Sequence, residues 1–521
     1  MKQEINLSLS PKEASDEQFY KPILAEKLHV DEARIMLINV RRRSIDARQR
    51  AIRINLGAEV FLDEIPIKEE IEFKYERIDQ KPQVIIVGAG PAGLFAALRL
   101  IELGFKPLIF ERGKNVSERK RDIARIHREQ LVDPDSNYGF GEGGAGTFSD
   151  GKLYTRSKKR GNIRRILEIL YSNGALPDIL IDAHPHIGTN MLPGIITRLR
   201  NKIIDAGGEI HFNSRVADLI IENDCCSGIM LTDTTLVEAQ AVILATGHSA
   251  REIYELLYQK GISIEAKTFA VGVRAEHPQT LIDSIQYNQT VRGSYLPPAS
   301  YSFVEQVEQR GVYSFCMCPG GMMVPAATAP GEMVINGMSP TKRNTKFANS
   351  GMVVEIRPED LNEYRHMGVF AGLEFQRRLE QLCYSLSGQT LFAPAQRMAD
   401  FVSNRFSQDL PESSYHPGLL SVPLHDKLPK RIRTRLQEAF KLIDKKAHGY
   451  LTNESVIVGV ESRTSSPIRI PRHDDTLEHV KIHGLYPCGE GAGYAGGIVS
   501  SAMDGERCAE AFAANYNLRS K

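Results

Sequence analysis

The stretch Val84–Arg112 reads VIIVGAGPAGLFAALRLIELGFKPLIFER, and its order of residue types spells out one supersecondary unit. Val84, Ile85, Ile86 and Val87 are an apolar, β-branched run that predicts a buried strand. Gly88-Ala89-Gly90-Pro91-Ala92-Gly93 follows, then a helical stretch to about Leu103, then Gly104 and a second apolar run ending at Glu111 and Arg112. In such a βαβ unit Gly88 makes the tight turn, Gly90 lets the backbone approach a pyrophosphate, and Gly93 lets helix and strand pack closely. Pro91 and Ala92 open the helix whose N-terminus receives the phosphates. Glu111 stands where an acid accepts hydrogen bonds from an adenosine ribose, with Arg112 beside it. Strand, helix, second strand and terminal acid together predict dinucleotide binding; the plainer reading is a strand-to-helix turn that merely needs small residues.

The chain has 521 residues, which predicts two or three domains rather than one core. Lys and Arg total 65 against 64 Asp and Glu, a formal charge of +1, so no global field favours nucleic acid or a membrane and small-molecule chemistry is expected. Met1–Tyr20 has no apolar core and is not a secretory signal. The most apolar window, Val84–Leu98, is interrupted by glycines and a proline and is too short to span a bilayer. Seven cysteines, an odd and sparse set, predict reduced thiols and a cytoplasmic address.

Residues 1–80 predict a small N-terminal α/β domain, with strands at Ile5–Leu9, Arg34–Val40 and Ala51–Phe61 and a helix at Asp16–Leu28. Glu69–Gln83 reads as a polar linker. Arg41, Arg42, Arg43, Arg48, Arg50 and Arg53 make this unit locally basic, which suits either phosphate contact or, more simply, a solvated hairpin. Residues 81–250 continue the nucleotide unit through a charged helix (Asn115–Leu131), a glycine-dense loop (Tyr138–Asp150), two further helices and closely spaced strands, ending in the buried run Ala241–Gly247. Residues 251–454 have a mixed composition with two long amphipathic stretches, Glu363–Leu386 and Pro429–Ala447, and read as an inserted substrate domain. Residues 455–521 return to a strand and then, over Gly491–Ala514, a glycine loop and a helix.

A single dehydrogenase domain would complete its sheet in one run, whereas here a second glycine-rich turn appears only near the C-terminus. The chain resembles the two-dinucleotide-binding-fold, glutathione-reductase-like flavoproteins, whose FAD domain is discontinuous. The matching segments are Val84–Glu111, Ser214-Arg215-Val216, Ala245-Thr246-Gly247 and Leu485–Gly497. The resemblance implies that Val216 lies on the adenine side, that Thr246 and Gly247 follow the β-meander, and that Glu490, standing where Asp is commoner, holds a ribityl hydroxyl, with Gly489 beside it in the same cofactor-binding turn. It also implies that Gly496, Gly497 and Ile498 aim a helix N-terminus at the pyrophosphate or the flavin edge. Within that superfamily Gly141–Lys152, Cys316–Gly321 and Glu461–Pro467 look like a bacterial group of FAD-dependent dehydrogenases. The expected fold is therefore α/β: a discontinuous Rossmann-like FAD-binding domain with a β-meander, an inserted mixed α+β substrate domain and a small N-terminal α/β domain.

Two further strings, Gly139-x-Gly141-x-x-Gly144 and Gly491-x-Gly493-x-x-Gly496, match the bare glycine pattern. The first follows a turn and the second has no later strand and acid, so neither predicts a second nucleotide fold. NAD(P)H, if it reduces the flavin, would bind transiently in the substrate channel; the alternative is another electron donor. Gly144, Ser149, Asp150 and Lys152 are candidates for flavin or substrate contact, as is Arg463, which could clamp an anion bidentately or simply close a loop. Cys316 and Cys318 fall on one strand face; a redox pair is one reading, but a bridge between residues two apart is strained, so small buried side chains, one of them lining the cavity, are expected. Cys225 and Cys226 are expected to be exposed. His184 and His186 are read as a pair with a substrate or flavin role or as a satisfied structural one. No second cysteine pair has metal spacing, so no metal is predicted. The expected function is FAD-dependent oxidation or reduction of a small molecule. The alternatives are a flavin-dependent RNA-modifying enzyme, with nucleic acid otherwise disfavoured, and a non-catalytic flavin-binding sensor. The oligomeric state is not legible.

Overall fold

The computed structural model describes residues 1–49, 51–67, 71–155 and 161–519. Arg50 of the basic run and residues 69 and 70 of the expected linker lie outside the described residues. The N-terminal segment forms β1 (Lys2–Leu9), α1 (Glu17–Leu28), β2 (Ile35–Asp46) and β3 (Arg53–Leu62), as its alternation predicts. The antiparallel sheet runs β1-β3-β2, burying Ile5, Leu7, Leu9, Leu56 and Val60 under Leu24 of the helix. Asp16 caps α1 by accepting the Gln18 N–H at 3.0 Å. Three arginines of the basic run are matched by acids: Arg41 pairs with Glu59 at 2.6 Å, Arg48 with Asp46 at 2.6 Å, and Arg43 with Asp178 and Asp182 at 2.8 and 2.7 Å. The last two bonds fasten this unit to the segment that follows.

The next elements are β4 (Gln83–Val87), α2 (Pro91–Glu102), β5 (Lys106–Phe110), α3 (Val116–Glu129), α4 (Ile163–Ser172), α5 (Leu192–Asp205) and β6 (Glu209–His211). A meander of β7 (Val216–Glu222), β8 (Cys225–Leu231) and β9 (Leu236–Glu238) precedes β10 (Val242–Leu244) and α6 (Arg251–Gln259). The insertion then builds β11 (Glu265–Ala266), β12 (Phe269–Pro278), α7 (Gln279–Tyr287), β13 (Val304–Val307), β14 (Arg310–Pro325), β15 (Ile335–Met338) and β16 (Phe347–Ile356). It continues with α8 (Ala371–Leu386), β17 (Ala393–Arg397), α9 (Met398–Val402), β18 (Leu419–Ser421), α10 (Leu424–Lys427), α11 (Lys430–Lys446), β19 (Val456–Glu461) and β20 (Ile468–Arg469). The chain closes with β21 (Leu485–Pro487) and α12 (Ile498–Arg519).

The chain is α/β with a Rossmann-like parallel core. That core is a five-stranded sheet in the order β21-β10-β4-β5-β6, so the C-terminal strand joins the sheet begun at Val84. Its central strands are continuous apolar runs because both faces are covered, one by α2, α5 and α12 and the other by the β7–β9 meander and α6; Val84, Ile85, Ile86, Val242 and Ile243 have no exposed surface. Helix α12 lies on α2 so closely that a Cβ on Gly505 would stand 2.0 Å from the Ala92 carbonyl oxygen.

Two sequence expectations need correcting. The amphipathic stretch from Glu363 is not one helix: Gly368, at φ 57° and ψ −128°, breaks it, and α8 begins at Ala371. The final helix begins at Ile498, in keeping with the helix N-terminus expected near Gly496, Gly497 and Ile498, and Gly493 and Gly497 before it hold positive φ. The insertion also runs past residue 454. Strand β19 pairs with β12 and β17 in the eight-stranded sheet, and the chain regains the parallel sheet only at β21. Among the described residues no helix is long and apolar enough to cross a membrane.

Candidate dinucleotide and substrate site

The loops that leave the C-terminal ends of β4, β10 and β21 converge, as ligand-binding loops of open α/β sheets do. With the glycine loop at 139–152 they enclose a cavity of about 330 Å³. Gly88, Gly90, Pro91, Ala92, Glu111, Gly144, Ser149, Asp150, Lys152, Thr246, Gly247, Glu490, Gly496, Gly497 and Ile498 all line it. A narrower cleft of about 40 Å³ runs beyond Glu111 between Arg112, Ser214, Val216 and Thr246. Segments far apart in sequence thus meet around one elongated space.

The glycines divide into two kinds. A Cβ on Gly88 (φ 104°) would sit 2.5 Å from the Ala245 carbonyl oxygen, and one on Gly93 would sit 2.0 Å from the Gly88 oxygen. Both are required by protein packing. Gly90 is different: its backbone is at φ −77°, and a Cβ there would meet only the Gly144 Cα, at 3.9 Å. Nothing lies within 4 Å of the Cβ positions of Gly496 and Gly497. These positions are open on the cavity side, where a ligand's phosphates or ring would lie. Helix α2 starts at Gly90 without a side-chain cap and with Pro91 in its first turn, leaving its N-terminal dipole to an anion. Gly489 (φ 75°) is not in the lining; its N–H donates to Asp504 at 2.8 Å.

At one end Glu111 accepts three backbone N–H bonds, from Ala89, Gly113 and Gly141, each at 2.9 Å. Arg112 pairs with Asp135 at 2.6 Å and lies 4.0 Å over the Phe140 ring. The glycine loop is shaped from beneath by a residue that sequence reading passed over. Arg119 of α3 is fully buried and donates to the carbonyls of Asn137, Tyr138 and Glu142 at 2.8, 3.0 and 2.8 Å. Burial brings its guanidinium down to about 10. The expected helical pattern of α3 carried this arginine, but nothing local marks it as an inward one.

At the other end Asp150 is buried beside Lys152 (3.0 Å) and Arg343 (3.3 Å). Though burial opposes ionisation, the Lys152 and Arg343 cations hold its carboxyl down to about 2. Ser149 turns its hydroxyl to the Gly146 carbonyl at 2.7 Å. Glu490 is raised to about 7 by burial, with Lys267 opposing. His248, a lining residue the sequence did not suggest, lies 3.9 Å from Glu490. Burial and the Arg463, Arg251 and Lys267 cations depress it to about 3.

Arg463 does not join the cavity. Its guanidinium reaches Glu332 at 2.8 Å and Glu380 at 3.0 Å, with Arg251 closing the same buried cluster, so it closes a loop rather than clamping a ligand. Cys318 is fully buried and Cys316 lines the cavity; both are free thiols. Cys225 is exposed but Cys226 is buried, contrary to expectation. His184 packs 4.8 Å from the Tyr154 ring, and His186 is hydrogen-bonded to the Thr341 carbonyl at 3.1 Å; neither lines the cavity. Behind β21, Cys488, Asp504 and Cys508 gather within 4.8 Å, a grouping that no sequence spacing announces. Arg472 supplies the positive charge there, 2.6 Å from Asp504.

Residues 268–464 match the model of a family described as FAD-dependent protein, C-terminal domain-like, and residues 1–61 match a domain of unknown function. An uncharacterized protein of Clostridium beijerinckii is 38% identical over 99% of this chain and 98% of its own length. A thiamine thiazole synthase of Saccharolobus islandicus is 26% identical over 52% of this chain and 94% of its own. Among solved structures, 2,6-dihydroxypyridine-3-hydroxylase from Arthrobacter nicotinovorans is 13% identical with a TM-score of 0.37, covering 85% of this chain and 86% of that one. A geranylgeranyl bacteriochlorophyll reductase-like protein from Thermoplasma acidophilum is 13% identical with a TM-score of 0.36, covering 84% and 79%. With an end-to-end relative at 38% identity and the C-terminal family model matched over 268–464, the chain belongs to this family of FAD-dependent proteins.

Proposed function

We propose that the chain is an FAD-dependent oxidoreductase acting on a small molecule, with the dinucleotide laid along the cavity from the Arg112–Val216 cleft to the Lys152 end. The observation that carries this reading is the row of open Cβ positions at Gly90, Gly496 and Gly497, which follows one elongated space between two helix N-termini. The family match supports it. Glu111 and Val216 would hold the adenosine end, the start of α2 the pyrophosphate, and Glu490 with Gly496–Ile498 the ribityl and ring end. The bound cofactor supplies hydride and electron transfer.

The chain's own residues position and charge the site. Lys152 stays protonated beside Asp150 and presents a fixed cation at the substrate end. Glu490, near 7, can hold or yield a proton at neutral pH. The electron donor we propose is a nicotinamide dinucleotide that enters the same cavity transiently. The test is to denature the purified protein and chromatograph the supernatant, then follow anaerobic reduction by NADH and NADPH. Release of FAD and bleaching by either donor is expected; FMN, NAD or no nucleotide would overturn the cofactor, and no bleaching by either would overturn the donor.

A further inference from the structure

We propose that Cys316 is a nucleophilic thiol of the cavity wall, held ready by Lys152, and that the cavity accepts a small soft electrophile of the α,β-unsaturated carbonyl class. The inference goes beyond the flavin reading, since none of its observations involves the cofactor.

Strand β14 does not run straight through this position. Its register against β16 passes from Phe315↔Gly351 to Cys318↔Asn349, one residue too many on β14, which is a bulge. Cys316 takes φ 47°, a left-handed conformation that costs a residue with a Cβ about 1–2 kcal/mol. The conformation is supported from behind. Arg274, with no exposed surface, donates to the Cys316 carbonyl at 2.8 Å, and the Cys318 thiol donates to the same oxygen at 3.2 Å. Arg274 is in turn fixed by Glu461 at 2.7 Å and Asn349 at 3.0 Å. The outcome is that Cys316 faces the cavity whereas Cys318 stays in the core.

Lys152 Nζ stands 3.9 Å from the Cys316 sulfur and 3.5 Å from that of Cys318, tethered to Asp150. The charged and titratable groups around the pair are Asp150, Lys152, Arg274, Cys318 and Glu461, with Arg343 and His186 beside Asp150 and Tyr301 near Cys318. The neighbouring Cys318 thiol, then the Lys152 and Arg274 cations, hold the Cys316 thiol well below its ordinary value, against burial and Asp150. Burial and the same partnership push Cys318 up. The thiolate is the reactive form. Its electron pair would form the S–C bond at the β-carbon while the alkene pair moves to the α-carbon and carbonyl oxygen. A proton from Lys152 or water then completes an adduct, with no change of oxidation state.

The experiment uses acrylamide, an α,β-unsaturated amide, on the protein as purified and after flavin removal, at pH 6.5. Peptide mass spectrometry locates the modified cysteines, and exposed Cys225 is the internal reference. Cys316 should react at least about tenfold faster than Cys225, the ratio that one unit of lowered pKa supplies in thiolate. Lys152→Met should slow Cys316 by a similar factor and leave Cys225 unchanged, while Lys152→Arg keeps the rate. Equal rates at the two cysteines, or a Lys152→Met protein that folds and reacts as fast as wild type, would overturn the proposal. If Lys152→Met does not fold, the wild-type rate profile decides. A midpoint below about 8 supports the assignment, and one at the ordinary thiol value of about 8.5 overturns it. A protein that binds no FAD but has a fast Cys316 would sink the flavin reading and leave this one standing.

Discussion

The Glu111 carboxylate accepts the Ala89 N–H at 2.9 Å, so the acid that ends the first βαβ unit ties down the glycine turn that begins it. The same carboxylate holds Gly113 and Gly141. Glu111→Ala should therefore do more than weaken the adenosine end of a bound dinucleotide. Three buried N–H donors lose their partner, and stability should fall by roughly 2–5 kcal/mol. Thermal unfolding of the flavin-stripped variant checks this; an unchanged midpoint, with only FAD lost, would mean that the ribose is the sole business of this acid.

Gly90 and Gly93 should separate cleanly. Gly90→Val fills the ligand side of the cavity, so the protein should fold with a melting temperature near that of the wild-type apoprotein yet retain no flavin. Gly93→Ala drives a methyl group into the Gly88 oxygen and should cost at least about 1–3 kcal/mol of stability. Flavin content and melting temperature, measured for both, form the check. Full FAD occupancy in Gly90→Val would show that the pyrophosphate lies elsewhere.

Glu490 makes the flavin-free protein sensitive to pH. Its carboxyl is raised from 4.5 to about 7 by burial, so between those values the folded state binds more protons than the unfolded state. Stability from this group is therefore full below 4.5 and lost as pH rises through 7. Glu490→Gln should raise the apoprotein's stability at pH 8 by about 1–3 kcal/mol and change it little at pH 4.5. Denaturant unfolding at the two pH values tests the sign. The variant should also alter the spectrum of bound flavin, whereas a variant at Glu111 should not.

Arg463 belongs to a buried ion cluster, so Arg463→Ala leaves Glu332 and Glu380 with Arg251 alone. A loss of about 3–5 kcal/mol is expected, with the flavin spectrum of surviving folded protein unchanged. A spectral shift at full stability would return this arginine to the ligand.

Anaerobic titration should take up two electrons per chain, those of the flavin, and the Cys316→Ser/Cys318→Ser double variant should remain reducible by the same donor. Both thiols are free, and the bulge that contains Cys316 turns it to the cavity while Cys318 stays in the core. Four electrons that fall to two in the double variant would make the pair a redox couple.

The sequence by itself determined the nucleotide unit, because its signals are local. A β-branched run, glycines at fixed offsets and a terminal acid each act through backbone geometry within a few residues, and the N-terminal strands follow from alternation alone. What only the tertiary structure decided are the things set by which distant groups share a buried space. The roles of Arg463 and Arg119 are of this kind: an isolated arginine in sequence is equally suited to an anion or to a carbonyl cage, and burial with Glu380 or with the 137–142 carbonyls chooses. The direction of Cys316 is another, since a bulge depends on the register of β14 against β16 and on Arg274 beneath it. The raised carboxyl of Glu490 is a third, because its cause is the water excluded by loops that come together only when β21 joins β10.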